Sequence, residues 1–159
     1  MCGIFGVVGQ ADRELGERVT RAINHRGPDD SGIWVDSTDM PVTLANTRLA
    51  IIDLSIAGHM PMLSEDGRLA ITYNGEVYNF AEIRAELEQR GHYFRSQSDT
   101  EVILNAYAQW GDECVHRFRG MFAFLIWDVP GQRLFAARDR LGIKPLYWSE
   151  TDNGLLLAS

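Results

Sequence analysis

Cysteine is scarce: the chain has two in 159 residues, Cys2 and Cys114, far apart and without metal-ligand spacing. That excludes a disulfide framework and points to a reducing, cytoplasmic setting. Histidine is sparse too. None of His25, His59, His92 and His116 stands in H-x-x-x-H or H-x-x-E-H spacing, so no metal site is expected. No apolar run approaches the ~20 residues that a bilayer span needs. Lys and Arg number 15 against 22 Asp and Glu, a net charge of −7, and the basic residues are scattered. Neither a nucleic-acid groove nor an anionic membrane surface is therefore indicated. Repeats, linkers and low-complexity tracts are missing. Glycines at 3, 6 and 9 do not make G-x-G-x-x-G, and the N-terminus lacks the basic segment of a signal peptide.

What is present fits one globular domain with a sizeable core. Ile4–Val8 reads as a buried strand. Asp12 predicts a helix cap, with Leu15, Val19, Ala22 and Ile23 on one face of a helix ending near Asn24. A loop follows over His25–Asp30, a strand over Ile33–Val35 and a turn over Asp36–Pro41. Thr43–Asn46, Arg48–Ile52 and Leu69–Tyr73 read as strands, with Asp53–Pro61 irregular. Asn79 with Glu82, and Ser98 with Glu101, predict capping boxes that open helices ending at Gly91 and about Trp110. Met121–Trp127 is apolar throughout, so both its faces should be covered. Val129–Gln132 turns the chain into a strand over Arg133–Ala137. Leu146–Trp148 and Leu155–Leu157 suggest a last hairpin around Asp152-Asn153-Gly154. Strands joined by tight turns favour antiparallel pairing, and the whole predicts an α+β layered sandwich. The apolar ending Leu155–Ser159 suggests that a longer protein continues past it.

Chemistry concentrates at the start, Met1-Cys2-Gly3. A small residue after the initiator methionine generally allows its removal, which would leave Cys2 with a thiol and a free α-amine. Such an amine, with a pKa of roughly 7.7–8.0, is a competent base near neutrality. Nucleophile and base would then share one residue, as in N-terminal-threonine enzymes. The alternative is that Cys2 is a small core residue at the start of a buried strand, with Met1 retained. Asn74-Gly75-Glu76 offers a side-chain amide and a glycine N–H as oxyanion donors, or simply a turn. Arg48 is either a charge at a strand edge or a bidentate carboxylate anchor. Asp99 either caps a helix after Ser98 or faces a ligand ammonium.

Seven motifs occur in order: MCGI at 1–4, HRGPD at 25–29, RLAIID at 48–53, YNGEVYN at 73–79, SDTE at 98–101, RGMFAF at 119–124 and RDRLGIKPLY at 138–147. Together they resemble the glutaminase domain of class II (N-terminal-nucleophile) glutamine amidotransferases, in the asparagine synthetase branch, over nearly the whole chain. The resemblance implies a four-layer αββα sandwich of two antiparallel sheets. It implies Cys2 as nucleophile, with Asn74 and the Gly75 N–H as oxyanion hole. Arg48 would hold the α-carboxylate of L-glutamine, Asp99 and Glu76 its α-ammonium, and Leu49, Ala50, Ile51 and Ile52 would line the pocket. Ammonia would pass to an ATP-using synthetase domain, whose Ser-Gly-Gly-x-Asp-Ser loop does not occur here. The domain itself would need no cofactor; ATP and magnesium would belong to that second domain. Relatives with other carboxylic acceptors, and a non-catalytic interaction domain on the same fold, remain alternatives.

Overall fold

In a computed structural model, which describes residues 1–152 and 154–159, nine strands form two antiparallel sheets. The first sheet runs β2-β3-β1-β9-β8, from β1 (Gly3–Val8), β2 (Asp30–Asp36), β3 (Val42–Arg48), β8 (Tyr147–Thr151) and β9 (Gly154–Ala158). The second runs β4-β5-β6-β7, from β4 (Met62–Leu63), β5 (Leu69–Val77), β6 (Gly120–Asp128) and β7 (Arg133–Arg138). Helix α1 (Arg13–Ile23) is started by Asp12, whose carboxylate accepts from Leu15 N at 2.9 Å. It packs Leu15 and Val19 on Phe5, Val7 and Ala45 of the first sheet. Helices α2 (Phe80–Gln89) and α3 (Asp99–Trp110) cover the outer face of the second.

β6 explains why the sheets stack. Phe122, Phe124 and Ile126 face the helices, while Ala123, Leu125 and Trp127 meet Ile4, Val42 and Leu44 between the sheets. Burying each large side chain contributes roughly 1.5–3 kcal/mol. The buried Trp127 indole donates to Asp36 Oδ2 at 2.8 Å, a polar tie across the stack. The result is the expected αββα sandwich.

Several local expectations are corrected. Arg48 closes β3 instead of opening a strand over 48–52. Its sheet neighbours stop there: Thr47 lies opposite Gly3, the first residue of β1, and Arg48 opposite Asp30, the first of β2. With no ladder left, 49–52 is irregular. Asn74-Gly75 is not a turn or a strand end, because β6 accompanies β5 as far as Val77 opposite Gly120. Neither capping box closes. Asn79 gives its side chain to Arg117 O and Arg119 N at 3.0 and 2.9 Å. Ser98 does cap Thr100 N, but Glu101 turns back to Arg95 N, Ser96 N and Ser96 Oγ. Of the last turn, Asn153 lies outside the described residues.

Candidate active site

Cys2 stands one residue ahead of β1, half-buried, beside the irregular segment after β3. Leu49 N donates to its Sγ at 3.4 Å, and the thiol lies 3.8 Å from Leu49 O. Arg26 Nε donates to the Cys2 carbonyl at 3.2 Å, which fixes the approach to the strand. Cys114 is different: it is buried under α3, and burial pushes its thiol up to about 12. It stays protonated and unreactive at neutral pH.

The second wall is the unpaired edge of β5. Phe122 spends its backbone on Asp139, donating N–H to the carboxylate at 3.2 Å and accepting Asp139 N–H at 2.8 Å. Gly75 lies directly opposite Phe122. That pair is therefore not hydrogen-bonded, and the Gly75 N–H points away from β6. On that side β4 has already ended, reaching only Ala70 and Ile71. Neighbours on the same edge are engaged, Tyr73 O by Asn46 Nδ2 at 3.3 Å and Val77 N by Asp99 Oδ2 at 3.0 Å. A side chain at 75 does not fit, since a Cβ would overlap the Met121 carbonyl and lie 2.6 Å from Phe122 Cα. Beside it, Asn74 is 1% exposed, and its Nδ2 meets no acceptor among the described residues. A buried amide donor without a partner is costly and uncommon.

Asp99, the first residue of α3, is also buried. Burial raises its pKa above the usual carboxylate range; the Tyr73 hydroxyl, donating at 2.7 Å, and Val77 N pull against that, and the Glu76 charge adds to it. Opposite, Arg48 is buried, with Nη1 donating to Ser55 O at 3.2 Å and Nη2 donating to Asp53 O. The Asp53 carboxyl is held below its ordinary value by the Ser55 hydroxyl and then by Gln97 N, so this loop is tied to the segment leading into α3.

One cavity of about 240 Å³ collects these groups. Of the ten residues proposed from sequence, nine line it: Cys2, Arg48, Leu49, Ile51, Ile52, Asn74, Gly75, Glu76 and Asp99. Ala50 does not; its N–H turns to Asp29 Oδ2 at 2.9 Å. Tyr73, Met121 and Lys144 join the lining without having been singled out. Tyr73 and Lys144 lie inside the quoted motifs, but their roles depend on which strand edge is free, which no spacing reveals. A wider groove of about 780 Å³ near Asp66, His92, Tyr107 and Asp112 contains none of the ten.

Cation, carboxylates, thiol and free donors on one small cavity suit a zwitterion bearing an amide. The fold that carries this cavity is an αββα sandwich of two antiparallel sheets. A solved glutamine phosphoribosylpyrophosphate amidotransferase from Bacillus subtilis, complexed with ADP and GMP, superposes with a TM-score of 0.81 at 21% identity, over 99% of this chain and 41% of that one. The family model described as "Glutamine amidotransferase domain" matches residues 1–159. Asparagine synthetase [glutamine-hydrolyzing] 3 of B. subtilis is 40% identical over all of this chain and 26% of its own length. Asparagine synthetase [glutamine-hydrolyzing] 2 of Oryza sativa is 43% identical over 92% of this chain and 25% of its own. The chain belongs to the glutamine amidotransferase domain family, and it spans about a quarter of the length of these curated relatives.

Proposed function

We propose that the chain hydrolyses the side-chain amide of L-glutamine to glutamate and ammonia through a Cys2 thioester, and that the ammonia serves an ATP-dependent asparagine synthetase domain. The observation that carries this is the pair of free donors, Asn74 Nδ2 and Gly75 N–H, on the cavity that holds Cys2. With Met1 removed, the Cys2 amine opens into the same cavity, which Met1 itself lines. The amine takes the thiol proton as sulfur attacks the amide carbon. The tetrahedral oxyanion accepts from Asn74 and Gly75. The C–N bond breaks and ammonia leaves with the proton returned by the amine. Water, deprotonated by the same amine, attacks the thioester, releasing glutamate and the thiol.

Arg48 is proposed to meet the α-carboxylate, and Asp99 with Glu76 the α-ammonium, leaving the amide to reach the sulfur. No cofactor is assigned to this step, and ATP and magnesium are assigned to the synthetase domain. Two free thiols suit a cytosolic setting. Among the described residues, no helix is long and apolar enough to cross a membrane.

The test combines intact mass with ammonia release from glutamine. Loss of one methionine, with turnover that Cys2→Ala abolishes, supports the proposal. A retained methionine with undiminished turnover, or turnover surviving Cys2→Ala, removes Cys2 from its role.

A further inference from the structure

Lys144 is the only lysine in the chain, and it is 6% exposed. Its position is fixed by backbone. Lys144 N donates to Asp139 Oδ2 at 2.9 Å, and Lys144 O accepts from Arg138 Nε at 2.6 Å. The same Asp139 oxygen accepts from Phe122 N, and Phe122 lies opposite Gly75. One carboxylate therefore ties Lys144 to the residue opposite the proposed oxyanion donor. Lys144 lines the cavity with Cys2, Gly75 and Met121.

Its ammonium makes no ion pair and no side-chain hydrogen bond among the described residues. Arg48, the other lining cation, already donates to two loop carbonyls. Lys144 is therefore a cation of the cavity wall that no counter-charge among the described residues engages. Such a group is useful where negative charge arrives during the reaction.

We propose that Lys144 recognises negative charge at the amide end of the cavity: the tetrahedral oxyanion and the γ-carboxylate of product glutamate. This rests on the hydrolysis reading above. Glutamine is neutral at that end, so Lys144 discriminates the charged states from the substrate. It strengthens the transition state and also lets glutamate bind as a product inhibitor.

The experiment compares the 159-residue protein with Lys144→Met and Lys144→Arg, measuring kcat, KM for glutamine, the inhibition constant of glutamate and Tm. Lys144→Met should lower kcat by about 10- to 100-fold, below the 10²–10³ typical of losing a direct oxyanion donor. KM should stay within about twofold and the glutamate constant should rise about tenfold, with Tm unchanged. Lys144→Arg should recover most of both. The inference is overturned if Lys144→Met leaves kcat and glutamate inhibition as in wild type. It is also overturned if both variants lose activity together with Tm, which would make the role one of shape. Wild type that hydrolyses no glutamine would overturn the function itself, and this inference with it.

Discussion

At the level of single residues, Asn74 Nδ2 lacks an acceptor among the described residues, whereas Arg48 and Asp99 are held by hydrogen bonds to their own fold. Asn74→Ala should cut kcat by about 10²–10³ while glutamine still binds, checked by steady-state kinetics beside calorimetric binding. Arg48→Lys should act mainly on KM, because an ammonium cannot reproduce the guanidinium fork. Asp99 gives a pH-dependent test. Its carboxyl is raised by burial, and it must be ionised to meet an ammonium. The kcat/KM for glutamine should therefore fall on the acid side as Asp99 takes up its proton. Tyr73 donates to the charged form and so pulls that titration down. Tyr73→Phe should move the acid limb to higher pH. A limb that stays in place or moves lower would dissociate Asp99 from binding.

At the level of elements, the Asp139 turn does most to hold the site in shape. Its carboxylate accepts four backbone N–H groups, from Phe122, Leu141, Ile143 and Lys144. Burial raises its pKa, but these hydrogen bonds outweigh that and leave it below its ordinary value. The group therefore adds stability above the unfolded carboxylate pKa, and that stability is lost as pH falls through the lower folded value. Asp139→Ala should cost about 2–4 kcal/mol in denaturant unfolding, because buried donors lose their acceptor. It should also lower kcat, since Phe122 and Lys144 are positioned through it.

Elements were also where sequence patterns stopped short. The apolar run at Met121–Trp127 predicts a segment covered on both faces, since a continuous apolar run leaves no face suited to water. Arg48 misled because 49–52 has the composition of a strand, whereas a strand also needs a neighbour. Asn-Gly at 74–75 looks like a turn, and only the length of β6 keeps it extended. Glu101 had the spacing of a capping box, yet Arg95 N, Ser96 N and Ser96 Oγ offered it three donors. Local spacing cannot weigh donors that tertiary structure brings in.

Taken whole, the molecule is two sheets locked face to face by β6, with the cavity where β4 fails to cover β5. Leu125 is fully buried between the sheets, against Gly6 and Leu44. Leu125→Ala should destabilise by about 2–5 kcal/mol in chemical denaturation, with the spread set by how far the layers collapse. The layer order was legible because hairpin turns and apolar runs suffice for it. Motif order picked out nine residues that line one cavity. Their geometry was not legible, since it depends on which edge the short β4 leaves open.

The place of Cys2, one residue ahead of β1 with Met1 at the cavity wall, bears on how the protein can be handled. On the proposed mechanism, an affinity tag or fusion partner ahead of Cys2 would leave its nitrogen an amide, unable to serve as base. Preparations for assay should carry their handle at the other end.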